Sequence, residues 1–105
     1  MTTTPRHPVT LAAARRILLR AGFTQHIWPA QPGHTNQTIH TWNDRHHRIT
    51  VVIGPDRGHQ TVIHGHHDGE RWHADTEQRH GDHVAAVRAG LSALHRIQAQ
   101  QRQAA

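Results

Sequence analysis

Two segments of the chain have the apolar periodicity of an amphipathic helix. In residues 10–22, apolar side chains recur every three or four positions, and Thr10 and Gly22 are suited to cap the start and the end. In residues 83–97, Asp82 is a candidate N-cap, and the apolar positions follow the same spacing at Val84, Val87, Leu91 and Leu94. The pattern predicts one helix near each end of the domain.

Between the helices the pattern changes to the alternation typical of β-strands. Runs rich in Thr, Val, Ile and Trp are separated by clusters of Asn, Asp, Gly and Pro, which favour turns. The predicted strands are residues 35–42, 47–53, 60–66 and 70–74. Their short connections favour antiparallel hairpins. We therefore predict an α+β fold, a two-layer α-β-β-β-β-α sandwich in which both helices cover one face of a four-stranded antiparallel sheet.

The same pattern predicts which side chains form the core and which face of the sheet stays open. The residues expected to be buried are Leu11, Leu18, Phe23, Ile49, Val51, Ile53, Val87, Leu91 and Leu94. The opposite face is predicted to gather Arg48, Thr50, Val62, His64 and His66. A ligand could then reach the sheet from that face.

Length and composition predict one marginally stable domain. A chain of 105 residues fits a single core, which we place at residues 10–97, between a flexible N-terminal arm at 1–9 and a polar C-terminal tail at 98–105. Only 19 of the 105 residues are Val, Ile, Leu or Phe, close to the proportion found in disordered chains. No segment has the apolar length of a membrane span or a signal peptide, so we expect a cytoplasmic protein that does not contact a membrane.

The charge of the chain favours an anionic partner. All 12 basic residues are Arg, against seven acidic residues, which gives a formal charge of +5. The planar guanidinium group pairs with two phosphate oxygens at once. Fourteen His residues can add positive charge as the pH falls from about 7.5 to about 6, because an unperturbed imidazole has a pKa near 6.5. We expect anion affinity to increase over that range.

These features predict a small, basic, non-enzymatic binding module that contacts nucleic acid. The candidate contacts are Arg and His side chains of the first helix, the first hairpin turn and two strands: Arg16, Arg20, Arg45, Arg48, His64 and His66. The alternative is a protein-interaction or dimerising adaptor, in which Val62 and its neighbours on the open sheet face pair with a partner or a second copy. The sequence does not separate these two interpretations.

One segment carries a pattern of metal-binding residues. Between Gly58 and Glu70, the chain resembles the first half of the first cupin motif, with His64 and His66 two residues apart on one strand. The resemblance implies that these two histidines and Glu70 hold a metal ion. It departs from the motif at Glu77, where a Gly is expected, and no second motif supplies the last His. Because the chain has no Cys and local spacing gives no closed four-ligand set, we expect no metal or other cofactor.

A second resemblance is to small HicA-type RNA-cleaving toxins, basic domains with a double-stranded-RNA-binding-like layout. In that family a helix ends in Gly-Phe and a Gly-Ser-His follows; here Ala21-Gly22-Phe23 is followed by Gly33-His34-Thr35, without the Ser and after a longer connection. The resemblance implies that His34 acts as a general acid or base on a ribose hydroxyl and phosphate. Since local spacing gives no nucleophile with its base and orienting group, the prediction remains a module without catalytic activity.

Overall fold

The structure, a computed structural model, describes residues 10–28, 37–54 and 60–104 of the chain. Its elements in chain order are α1 (Leu11–Arg20), β1 (Thr24–Trp28), β2 (Gln37–Asn43), β3 (His47–Ile53), β4 (Gln60–His67), β5 (Trp72–His80) and α2 (His83–Ala104). The strands form one sheet in sequence order, and every neighbouring pair is antiparallel. The α+β class is confirmed. The predicted number of strands is wrong, because the sheet has five.

The additional strand is β1, which follows α1 almost directly. Its sequence lacks the alternation of a half-buried strand, and its one aliphatic side chain, Ile27, is 56% exposed. Pairing with β2 holds it instead, together with a hydrogen bond that the Thr24 hydroxyl donates to the Thr41 carbonyl (3.1 Å). A strand held by backbone pairing rather than by burial leaves little trace in an apolar pattern.

Helix α1 begins and ends at residues suited to those positions. The Thr10 hydroxyl accepts a hydrogen bond from the Ala13 N–H (3.1 Å). At the other end Gly22 has a φ of +101°, and the Phe23 N–H donates to the Leu18 carbonyl (3.0 Å). This is the glycine-ended cap that the sequence predicts. Helix α2 continues to Ala104, through the residues expected to be a polar tail.

The core joins both helices to one face of the sheet in a single cluster. Its members are Ala14, Leu18, Phe23, Ile49, Val51, Ile53, Val62, Ala86, Val87, Ala93, Leu94 and Ile97. All the predicted core residues belong to it or pack against it; Leu11 and Leu91 are only partly buried. The Arg15 Nε donates to the Thr38 hydroxyl (3.2 Å) and so links α1 to β2 at this core.

The register between β3 and β4 corrects the predicted composition of the open face. Val62 pairs with Val51, His64 with Ile49 and His66 with His47. Side chains of directly paired residues point to the same face, so Val62, His64 and His66 lie on the core face and not beside Arg48. Val62 is only 5% exposed, which removes it from any surface. A shift of one residue between two paired strands exchanges the faces of a whole strand.

Candidate nucleic-acid interface

The face of the sheet opposite the core carries Arg48 at one end. Arg48 pairs with Gly65, and Gly65 pairs with Ala74, so these residues form a row across β3, β4 and β5. The next row contains Thr50 and Ile63. A β-bulge on the β4–β5 ladder lies between His64 and Gly65, and bulges change the direction of neighbouring side chains. The row therefore lies where the sheet departs from regular pairing.

Trp72 lies beside this row at the start of β5. The guanidinium carbon of Arg48 is 4.6 Å from the centroid of the Trp72 ring, within the range of a cation–π contact. The Arg48 Nε is buried and has no hydrogen-bond partner within the described part of the chain. The contact with the ring therefore orients the guanidinium group at this place.

A shallow, open cavity of about 270 Å³ lies next to the Arg48–Trp72 pair. Its lining includes Thr50, Ile63, Gly65 and Ala74 besides the pair itself. A Cβ atom on Gly65 would stand 2.5 Å from the His73 carbonyl oxygen, so the close approach of β4 to β5 requires glycine here. Gly65 has no side chain and Ala74 has a small one, so the floor of the cavity is low and apolar. The Trp72 ring, the Arg48 guanidinium group and the Thr50 hydroxyl group stand around it.

A second cavity lies at the end of the sheet, where two hairpin turns meet. It is lined by Arg45, His46, His67, Asp68 and Gly69. The His67 N–H donates to the His46 carbonyl (2.9 Å) and joins the turns. The His67 ring also contacts the Trp72 ring edge-on, at a centroid distance of 5.0 Å. Arg45, His67, Trp72 and Arg48 therefore follow one another along this end of the molecule, and we call these four residues the basic strip.

The carboxylates at this end are engaged by the two turns. Asp44 accepts hydrogen bonds from the His46 and His47 N–H groups, each at 2.7 Å. Asp68 accepts from the Arg71 (3.0 Å) and Glu70 (2.8 Å) N–H groups, and these bonds, with its contact to the His73 ring, hold the pKa of Asp68 well below its usual range. Both side chains thus act as turn caps that stay ionised.

The structure separates the predicted contact residues into three places. Arg48 and Arg45 belong to the basic strip. Arg16 and Arg20 are exposed on α1, which packs against the core side of the sheet, so they do not share a surface with Arg48. His64 and His66 lie on the core side.

His64 and His66 form contacts of their own on the core side of the sheet. His66 Nδ1 lies 2.7 Å from a carboxylate oxygen of Asp75. The His64 ring is tilted against the ring of His47, at a centroid distance of 5.7 Å. Burial, followed by the charge of His47, lowers the pKa of His64, so its imidazole is neutral near pH 7. Neither side chain reaches the basic strip.

The described residues do not form the metal site that the cupin-like pattern implies. No group of three His, Asp or Glu side chains in these ranges is arranged to hold an ion. Glu70 is exposed in the turn between β4 and β5, while His64 and His66 lie on β4 itself. Gly58, where the pattern begins, and His34, the residue suggested by the toxin resemblance, lie outside the described residues.

Sequence reasoning missed the two residues that shape the cavity, Trp72 and Gly65. Tryptophan is expected in a core. The residues directly before and after Trp72, which are Arg71 and His73, are polar. Polar neighbours alone also fit a half-buried strand, so the available signal lies two positions away: Glu70 and Ala74, which share the face of Trp72 in a strand, are not large apolar residues. Gly65 lies inside a predicted strand, where an isolated glycine is typical of a bulge or a close backbone approach.

No helix within the described ranges has the length and apolar character needed to cross a membrane. The chain shows no match to a family model, to a curated protein or to a solved structure.

Proposed function

We propose that this protein binds single-stranded nucleic acid on the sheet face opposite the core, with the Arg48–Trp72 pair as the central contact. The observation that supports the proposal is the position of the Arg48 guanidinium group, 4.6 Å above the Trp72 ring and beside an open cavity with an apolar floor. Aromatic rings stack on bases, and arginine adds phosphate contacts and stacking of its own. In this proposal both helices lie on the core side and leave the opposite face to the ligand.

The cavity favours a single strand over a duplex. A ring of the protein can stack only on a base that is not already stacked inside a double helix. In duplex DNA or RNA the bases are enclosed and the phosphates face outward, so Trp72 would contribute nothing and only the arginines would bind. An unpaired base instead lies over Gly65 and Ala74 in this proposal and stacks on the face of the Trp72 ring that Arg48 leaves free, or on the Arg48 guanidinium plane.

The charge of the basic strip supports a path for the phosphates. Arg45 and His67 continue from the Arg48–Trp72 pair to the end of the sheet. Asp68, at the same end, keeps its negative charge, although its oxygens are engaged by turn N–H groups and by the His73 ring. The positive charge of the strip is therefore that of Arg45 and Arg48. Glu77 lies on the open face beyond Ile63, its partner in the register, and limits the basic surface to the end with Arg45. The protein-adaptor alternative loses the residue on which it was based, since Val62 is buried.

The test is a fluorescence anisotropy titration of labelled oligonucleotides. The single strand should bind more tightly than the duplex of the same sequence. Trp72→Ala should raise the dissociation constant for the single strand about tenfold, because stacking on one base contributes about 1–3 kcal/mol. Trp72→Phe should keep most of the affinity. Arg102→Ala, which removes one exposed arginine near the end of α2, is the control for charge alone.

Two results would overturn the proposal. One is the absence of single-strand binding at low salt. The other is binding that Trp72→Ala and Arg102→Ala weaken equally, since that pattern reports general attraction between a basic protein and a polyanion. Circular dichroism of each variant shows whether the fold is retained.

A further inference from the structure

Strand β5 forms one edge of the sheet among the described strands. It pairs with β4 along one side, and no described strand pairs with its other side. All residues from Ala74 to Arg79 are exposed, so the side chains on both faces of this stretch meet solvent. An edge of this kind presents unpaired N–H and C=O groups to another strand. The charges of the β5 side chains determine which strand can pair with this edge and in which register.

The β-bulge divides β5 into two parts. Across the bulge the register passes from Thr76 to Ala74, so Asp75 is the extra residue, and its carboxylate accepts a hydrogen bond from the His66 ring. Regular pairing resumes at Thr76 and continues to His80. The section that can extend the sheet is therefore Thr76–His80.

The charges of this section are complementary to themselves. Glu77 and Arg79 are two residues apart, so both side chains lie on the same face of the strand. Neither forms an ion pair within the described part of the chain. When two copies of β5 pair antiparallel about a two-fold axis at Gln78, Glu77 of each copy lies opposite Arg79 of the other. Opposite charges in directly paired positions stabilise a sheet.

Neighbouring registers are less complementary. A two-fold axis at Glu77 places that carboxylate opposite its own copy, and its opposite-charge pairs, Asp75 with Arg79, use the bulge residue that already accepts a hydrogen bond from the His66 ring. A two-fold axis at Arg79 places that guanidinium group opposite its own copy. An axis at Thr76 places Asp75 opposite Glu77 and passes through the bulge. Like charges in directly paired positions are destabilising. The charge pattern thus selects one register and opposes the registers next to it.

We propose that β5 pairs with β5 of a second copy of this chain, with the two-fold axis at Gln78, and joins the two sheets into one. The contact is isologous, so it closes as a dimer. The two-fold axis is perpendicular to the sheet, so the open faces of both copies lie on the same side of the joined sheet. That continuous face carries two Arg48–Trp72 pairs. The dimer does not depend on the proposed nucleic-acid binding.

Charge exchange at the edge tests the proposal. Light scattering and sedimentation should show a dimer for the natural sequence. Glu77→Arg and Arg79→Glu should each raise the dimer dissociation constant about tenfold or more, because each replaces two attractive pairs by two repulsive ones. The first variant carries two positive charges at these positions and the second carries two negative charges. An equal mixture of the two should therefore form heterodimers.

Glu70→Arg makes the same charge change in the exposed β4–β5 turn, outside β5, and should leave the dimer intact. A natural protein that stays monomeric at submillimolar concentration overturns the proposal. A dimer that neither β5 variant weakens, or two variants that stay monomeric when mixed, also overturns it. Both substituted side chains are exposed, and circular dichroism confirms that each variant folds.

Discussion

Gly90 of α2 lies against Val51 of β3, so closely that a Cβ atom on the glycine would stand 2.6 Å from the Val51 Cγ2 atom. Val51 is fully buried at the centre of the core and is branched at its own Cβ, so it has little freedom to move aside. Glycine in a helix costs about 1 kcal/mol relative to alanine. The close approach of α2 to the sheet accounts for its presence.

Gly90→Ala should therefore destabilise the protein despite its better helix propensity. Overpacking of a core costs about 1–3 kcal/mol, which exceeds the gain of about 1 kcal/mol from propensity. Chemical denaturation measures the change in the free energy of unfolding. In a Val51→Ala background the clash is absent, so the same substitution should be neutral or stabilising there; an equal loss in both backgrounds would contradict the assigned contact.

Gly65→Ala should disrupt the cavity as well as the sheet. The added Cβ atom would meet the His73 carbonyl, a backbone atom that cannot rotate away, so β4 and β5 must separate. We expect a loss of about 1–3 kcal/mol of unfolding free energy together with weaker nucleic-acid binding. Gly81→Ala is the matched control, because a Cβ atom there meets nothing within 4 Å. Similar melting temperatures for the two variants would show that the approach at Gly65 is not tight.

The buried imidazole of His40 should make stability depend on pH. His40 is fully buried on the core side of β2, and burial, followed by the charge of Arg15, lowers its pKa below 6.5. In the unfolded chain the same imidazole titrates near 6.5, so below that pH the unfolded state binds more protons. The free energy of unfolding should thus fall as the pH drops below about 6.5 and level off above it. His64, whose pKa is also lowered, contributes in the same direction.

His40→Leu tests this assignment. Leucine keeps a large apolar side chain at the buried position and removes the titrating group, so stability should fall less steeply between about pH 6.5 and pH 5 than in the natural protein. Denaturant titrations at several pH values measure the slope. Ser92→Leu, at an exposed position of α2, introduces the same side chain without removing a titrating group and should leave the slope unchanged. An unchanged slope in the His40 variant would mean that other groups produce the pH dependence.

The sequence predicted helices and one central strand well because their signals are local. Thr10 and Gly22 cap α1 as expected, and the predicted bounds of β3 agree with the structure. The face on which His64 and His66 lie depends on the β3–β4 register, and no local pattern encodes it. For the same reason, the meeting of Arg48 and Trp72, which are brought together across β4, could not be predicted from their spacing.

Arg48 on the open face should contribute more to single-strand affinity than Arg16 and Arg20 on α1. Arg48→Ala should weaken single-strand binding and reduce the slope of the logarithm of affinity against the logarithm of salt concentration, since each phosphate contact releases about one counterion. The double substitution Arg16→Ala with Arg20→Ala removes twice the charge from α1, on the other side of the sheet. It should lower affinity less than Arg48→Ala does. A larger loss in the α1 variant would place the nucleic acid on the helix side, and the basic strip would then not be the binding surface.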